Sequence, residues 1–457
     1  MRKADVVIIG AGAAGLAAAR VLVEQDNDVV VLEARDRIGG RILTHRDQST
    51  HLPIELGAEF IHGSAPELNE ILDRASLASV DITGRRWRVT GEQFRPADDY
   101  YERIDRVMTR LQPRRTPDRS FHDFLKTKPG GRRLAQDRRL TLQYVEGYHA
   151  ADPALISERA LANGGSPRGD ARERRIGRVL DGYDRVIEWI AAPLGDRVRL
   201  EAVAARVRWA PGNVSVEVTH LDGRRRADVN ARAAIIAVPL GVLKAGVGET
   251  GAIEFDPVLR SKHDVLARLE MGAVVRITLR LTERFWASEW YAKQIGNQEL
   301  DTLSFLQTND EHFPVWWSAY PVRAPVLIGW HGGPGATALA QRPTEEIEEV
   351  AIASLARQSG VSQRRMRDMV EAVWTHDWTH DPFSRGAYSY QRVGGSEAPA
   401  ALARPLRGTL FFAGEASDVE GRTGTVHGAI ASGRRAAREV ERSLKTLQPI
   451  GRRAESD

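Results

Sequence analysis

Gly10, Gly12 and Gly15 stand in G-x-G-x-x-G spacing, and Glu33 follows about 20 positions later. Each part has a chemical use. Gly10 permits a tight turn, Gly12 lets a pyrophosphate approach the backbone, and Gly15 lets a helix pack closely on a strand. Unpaired amides and the positive dipole end of the following helix suit phosphate. A carboxylate at position 33 accepts hydrogen bonds from ribose hydroxyls and disfavours a 2′-phosphate. This constellation is the chemistry of adenine-dinucleotide binding. On the reacting side, His62 is a side chain whose ordinary pKa lies near neutrality, suited to proton exchange. A loop histidine packed for structure is the alternative. No nucleophile–base–acid triad is visible, and the chain has no cysteine, so disulfides, thiolate metal sites and thiol nucleophiles are excluded.

The elements that must position these groups are readable nearby. Residues 6–9 are an apolar run, as expected of a strand buried on both faces. Residues 16–24 form an alanine-rich helix of strong helix formers, and 29–32 a second apolar strand ending at Glu33. Beyond this unit, 66–77 reads as a helix. Residues 87–131 are polar and helical in pattern, broken by Pro113, Pro117 and Pro129, and are expected to be a helical insertion. Residues 161–170 read as a loop by composition. Alternation predicts strands at 198–209 and 214–220 around a Pro211-Gly212 turn, and a buried strand opens the 233–244 block. Residues 262–269 read as a helix. Further strands are expected near 302–306, 315–319, 326–330 and 370–374, with a helix at 344–359 closed by Gly360. Trp316, Trp317, Trp330, Trp374 and Trp378 are expected in the core rather than in a cage. A buried strand before Gly414 and a helix beginning near Thr425 close the pattern.

The stretches EARDRIGGR (33–41), IELGAEFIHG (54–63), DPFSRGAYSY (381–390), LFFAGE (410–415) and GTVHGAIASG (424–433) resemble the flavin-dependent amine oxidases, over nearly the whole chain. The resemblance implies an α/β class: a two-dinucleotide-binding-fold (Rossmann-like) FAD domain with an interleaved α+β substrate domain. It divides the chain into FAD-domain segments 1–75, 196–260 and 401–445, substrate-domain segments 76–195 and 261–400, and a polar tail, 446–457. It implies FAD, held non-covalently by Gly10, Gly12, Ala14, Gly15, Glu33, Ala34, Arg35, Gly39, Gly40, Arg41, Leu56, Gly57, Ala58, Glu59, Val203, Gly414, Glu415, Thr425 and Val426. The absence of cysteine excludes a cysteinyl link, and a link through His45 or His62 stays open.

The implied reaction moves a hydride from the carbon beside an amine nitrogen to flavin N5. Hydrolysis of the imine and reduction of O2 to H2O2 complete it. The implied catalytic side comprises His62, Arg276, Tyr388, Tyr390 and Arg422. One of the two tyrosines is expected to face the cofactor. Two positions depart from the family pattern. Arg276 stands where many relatives carry a lysine, and this is not a conservative exchange. It leaves room for a dehydrogenase or desaturase with a non-oxygen acceptor. Arg422 stands where many relatives carry a cage tyrosine. An arginine there can pair with a substrate carboxylate, implying an amino-acid-like substrate, or can simply turn to solvent. A non-catalytic binding protein on the same scaffold is the remaining alternative.

At 457 residues, 42% hydrophobic and 28% charged, the chain suits two or three domains of ordinary soluble character. The net charge of +4 is carried by arginine clusters at 103–119, 132–139 and 168–178, which read as solvated helix faces. No nucleic-acid motif accompanies them. No apolar stretch approaches a membrane span, and a cytoplasmic monomer or homodimer, with no metal, is expected. The expected partners are a small-molecule amine or amino-acid-like substrate and O2.

Overall fold

Ala4–Ile9 has one polar side chain, Asp5, and it lies inside an eight-stranded sheet. The computed structural model describes residues 3–91, 93–164 and 175–446. Ala4–Ile9 pairs in parallel with Val29–Leu32 on one side and with Val229–Ile236 on the other. Val229–Ile236 in turn pairs antiparallel with Asn213–Thr219 near its start and parallel with Leu410–Phe412 near its end. Segments from the beginning, middle and end of the chain therefore share one sheet. Two helices, Ala13–Val23 and Val426–Thr446, cover a face of it through Leu16, Leu22, Ile430 and Val440. Their approach is so close that a Cβ on Gly433 would lie 2.1 Å from the carbonyl oxygen of Ala14. A Cβ on Gly15 would lie 1.9 Å from that of Gly10, so both positions require glycine.

A second, seven-stranded sheet runs in the order Val370–Thr375, Val274–Leu281, Val326–Gly332, Val315–Ser318, Leu303–Gln307, Arg85–Thr90, Gln93–Pro96. Successive strand residues point to opposite faces, and this sorts the side chains. Ile277, Leu279, Trp316 and Leu306 pack with Ile347, Ala351 and Leu355 of the helix Thr344–Ser359. Phe305, Trp317 and Ile328 belong to a separate cluster on the opposite side. Arg276 shares that side by strand alternation. A helical unit, Tyr100–Met108, Phe121–Lys126, Ala135–Tyr148 and Glu158–Asn163, packs around Ile104, Phe121, Val145 and Tyr390. The class is thus mixed α/β with two large sheets, as the resemblance implied.

Several local expectations are corrected. Arg85–Thr90 and Gln93–Pro96 form a hairpin where the stretch from 87 was read as helical, because Trp87 and Val89, two apart, are buried on the first strand and Phe94 on the second. The interleaved arginines disguised that alternation as helix polarity. The strand expected at 198–209 is two: Val198–Arg199 pairs with Val29–Leu32, and Val203–Ala210 pairs with Asn213–Thr219. Phe60–His62 is itself a strand, paired with Ile176–Val179. Residues 165–170 of the expected loop, Arg168, Arg172, Arg174 and the tail after 446 lie outside the described residues. Among those described, no helix is long and apolar enough to cross a membrane.

Candidate active site

The turn after the first strand meets a second glycine turn. Gly12 and Gly39 form a β-bridge, and the Gly39 amide donates to the Ala11 carbonyl at 2.9 Å. A Cβ on Gly12 would meet nothing nearer than the Gly39 oxygen at 4.0 Å, so its bare backbone faces open space. Glu33 is buried beside this turn. Its Oε2 accepts from the Ala11 amide at 2.8 Å and its Oε1 from the Arg35 amide at 3.0 Å. Burial raises its pKa against the pull of those amides and of Arg35.

From here a cavity of about 1070 Å³ extends through the molecule. Gly10, Gly12, Ala14, Glu33, Ala34, Arg35, Gly39, Gly40, Arg41, Leu56, Gly57, Ala58, Glu59, Val203, Gly414, Glu415, Thr425 and Val426 all line it. Gly15 does not line it, being held between helix and strand. An open glycine backbone, a buried acid at the end of the second strand and two helix N-termini on one cavity fit an adenine dinucleotide.

Long-range bonds lock this wall. Glu415 accepts from Arg41 Nη1 at 2.8 Å, from Ser389 Oγ at 2.6 Å and from the Gly424 amide at 3.0 Å. Arg35 pairs with Asp381 at 2.7 Å, and His376 contacts the same carboxylate at 2.9 Å. Thr425 caps the closing helix, its Oγ1 accepting from the Gly428 amide at 3.0 Å. The first-turn amides of that helix have no intrahelical acceptor, and Thr425, Val426 and His427 face the cavity.

The far wall is aromatic. His62 lies 5.4 Å from the Tyr148 ring and 5.8 Å from Phe60, and Tyr144 stacks on Tyr148 at 5.0 Å. Phe60 continues to Trp317 at 5.4 Å, and Trp317 to Trp330 at 5.7 Å. Trp317, Trp330 and Trp378 therefore line the cavity, whereas Trp316 is core. Burial lowers the His62 pKa to about 4, so its ring is neutral at pH 7. Tyr388 donates to the Tyr148 carbonyl at 2.8 Å, and Tyr390 packs against the helical unit. Both tyrosines line the cavity, as does Ser389 between them, whose Oγ donates to Glu415.

The two unusual arginines are both engaged. Arg276 pairs with Glu59 at 2.7 Å and donates to the Gly57 carbonyl at 3.3 Å. Glu59 also receives Arg178 Nε at 2.6 Å and Trp317 Nε1 at 3.1 Å. Burial pushes the Glu59 pKa up, but Arg178 and Arg276 outweigh it and hold the carboxylate ionised. Arg422 pairs with Glu67 at 2.7 Å and Glu420 at 2.8 Å. It is not turned to solvent: Asp418 is a third carboxylate nearby, at 3.7 Å, and the Arg422 Nε has no hydrogen-bond partner among the described residues. Sequence reasoning missed Arg86 and Gln307 on this wall. The hairpin alternation around Trp87 was the one available signal for Arg86.

A family model described as flavin containing amine oxidoreductase matches residues 13–441. Polyamine oxidase 2 of Arabidopsis thaliana is 29% identical, over 98% of this chain and 90% of that protein. Putrescine oxidase of Kocuria rosea is 27% identical, over 95% of each chain. Among solved structures, cyclohexylamine oxidase from Brevibacterium oxydans superposes with a TM-score of 0.78 at 22% identity, over 97% of this chain and all of the other.

Proposed function

The chain belongs to the family of flavin-containing amine oxidoreductases, and from that premise we propose that it oxidises a small-molecule amine at the carbon beside nitrogen. It is an FAD-dependent oxidoreductase acting on amines. Hydrolysis of the imine then yields a carbonyl compound, and O2 takes the electrons as H2O2. One observation carries the reading: a single cavity joins the dinucleotide cradle to an aromatic wall holding a neutral histidine.

FAD, when bound, supplies the two-electron acceptor for the hydrogen on the carbon beside nitrogen. The glycine turns, Glu33, Arg41, Val203, Gly414, Glu415, Thr425 and Val426 would hold it, and we assign its domain to segments 1–75, 196–260 and 401–445. The N-terminus of Val426–Thr446 presents partial positive charge where negative charge builds during reduction. Tyr148, Trp317, Trp330 and Phe60 exclude water and favour the uncharged amine over the ammonium form. A ring nitrogen of His62, unprotonated at neutral pH, accepts a hydrogen bond from the amine nitrogen, and with its pKa lowered to about 4 it orients the uncharged amine rather than holding its proton. Tyr388 and Tyr390 flank the same space.

Arg276 favours a second reading, a dehydrogenase with a non-oxygen acceptor. Tied to Glu59, it is a fixed cation that does not exchange protons as a lysine does. Anaerobic mixing of the yellow holoenzyme with a panel of amines separates the readings. Loss of the visible flavin band, with stoichiometric peroxide on admitting air, is the expected result. Loss that persists in air favours the dehydrogenase, and failure of every amine to bleach the band removes amine oxidation itself.

A further inference from the structure

Six arginines line the cavity, and five of them meet a carboxylate. Arg35 meets Asp381, Arg41 meets Glu415, Arg175 meets Asp81, Arg276 meets Glu59 and Arg422 meets Glu67. The sixth, Arg86, has no carboxylate within ion-pairing distance among the described residues. Its guanidinium sits 4.2 Å from the Phe305 ring centroid, 4.6 Å from Tyr100 and 5.2 Å from Tyr101. It donates one hydrogen bond, to the Tyr101 hydroxyl at 3.2 Å. The rings fix the plane of the guanidinium and leave further N–H donors on its edge. A cation in a half-buried aromatic box is costly without a counter-charge, so this geometry suits a ligand that brings one.

The position of Arg86 shows which end of a ligand it would meet. Phe305 lies 5.9 Å from Phe60, and Phe60 lies 5.8 Å from His62. Arg86 therefore stands at the opposite end of the aromatic wall from His62, two rings away. Gln307 lines the same end, buried, with its Oε1 unpartnered. No carboxylate lines the cavity on Arg85–Thr90, Tyr100–Met108 or Leu303–Gln307. The distal ammonium of a diamine would meet the like charge of Arg86 there, with the neutral Gln307 Oε1 as an acceptor but no carboxylate to offset the repulsion.

We propose that Arg86 determines specificity by receiving a carboxylate on the substrate, separated by a carbon chain from the amine that is oxidised. The favoured substrate class is then an aminocarboxylate with well-separated charges, and diamines and polyamines are disfavoured. Arginine suits this task because its planar fork binds both carboxylate oxygens at once. The inference rests on the amine oxidation proposed above.

The test compares kcat/KM of the holoenzyme for three six-carbon amines, 6-aminohexanoate, hexylamine and 1,6-diaminohexane, together with the four- and eight-carbon homologues. The wild type is expected to prefer the aminocarboxylate of best-fitting length, with the diamine poorest. Arg86→Met should lower kcat/KM for aminocarboxylates by about tenfold to a hundredfold, chiefly through KM, the loss expected for a charge-assisted hydrogen bond. Hexylamine kcat/KM should fall by a smaller factor than aminocarboxylate kcat/KM in the same variant, and the variant's ratio of visible to ultraviolet absorbance after gel filtration reports that it is folded and loaded. Arg86→Lys should recover part of the aminocarboxylate activity, and Arg86→Glu should turn the preference toward the diamine. A wild-type preference for the diamine, or an Arg86→Met variant whose kcat/KM changes by the same factor for all three amines, overturns the inference while leaving amine oxidation standing. If the wild type oxidises none of them, amine oxidation falls, and this inference with it.

Discussion

Glu55 and Glu59, one turn of chain apart and both buried, are driven in opposite directions by their neighbours. Burial pushes Glu55 up to about 7, although it accepts hydrogen bonds from the Tyr183 amide and the Thr44 hydroxyl, each at 2.7 Å. Glu59 has two guanidiniums and stays ionised. A small cavity of about 70 Å³ lies between these groups, lined by Glu55, Glu59, Arg178, Arg276 and Thr278. The sign of the effect on stability is fixed by linkage. Between the unfolded value of 4.5 and the folded value of about 7, the folded chain holds a proton that the unfolded chain has lost. The stability this group contributes is therefore present at low pH and lost as pH rises through about 7. Glu55→Gln mimics the protonated form and removes that loss. Its thermal midpoint relative to wild type should be higher at about pH 8.5 than at about pH 6, by roughly a few degrees. A gap of the same size at both pH values would refute the assignment.

At the scale of elements, the closing helix Val426–Thr446 joins the dinucleotide cradle to the reacting end. It does so through contact rather than charge. Gly433 lets it lie against Ala13–Val23, and no side chain fits between them. Gly433→Val must push the helix outward and with it Thr425 and Val426, which line the cavity. The expected cost is about 1–3 kcal/mol of stability, the usual penalty of overpacking. Weaker retention of flavin should accompany it, read as the ratio of visible to ultraviolet absorbance after gel filtration. An unchanged ratio together with an unchanged unfolding midpoint would show that the helix contact has slack.

This element was legible in the sequence because glycine spacing and apolar periodicity are local signals. Thr344–Ser359 was legible to the residue for the same reason, ending at Gly360. The hairpin at 85–96 was not. Its two buried side chains on the first strand are separated by arginines, and the pattern becomes clear only once the neighbouring strand Leu303–Gln307 is in place.

For the whole molecule, three histidines contribute to how the fold responds to acid. His62, His149 and His427 all have pKa values lowered to about 4, in each case first by burial. An unfolded histidine takes up its proton near 6.5, so between about 6.5 and 4 the unfolded state binds more protons than the folded one. The stability they contribute therefore falls as pH falls through that window. Glu55, Glu33, Glu146, Glu348 and Asp418, all raised first by burial, act in the opposite direction over part of it, so the histidine contribution is read from a variant rather than from the wild-type slope. The carboxylates of Asp310, lowered to about 2, and Asp381, lowered further, add their own loss at still lower pH. The thermal midpoint of His149→Gln relative to wild type should rise as pH falls from about 6.5 to about 4. A difference that holds constant across this range would show that the His149 ring is not buried neutral.

The strand–turn–helix–strand unit at the start of the chain, the fold class and the family were determined by sequence alone. Each rests on residues close together in the chain, where propensity, periodicity and glycine geometry act directly. The chemical condition of the arginines was decided only by tertiary structure. Nothing near Arg276 in sequence names Glu59, nothing near Arg422 names Glu67, and nothing near Arg86 announces that no carboxylate among the described residues pairs with it. Ion pairing depends on distance through space, and folding sets that distance by bringing together strands and helices hundreds of residues apart. The same process placed Trp317 on the cavity and Trp316, its neighbour in the chain, in the core.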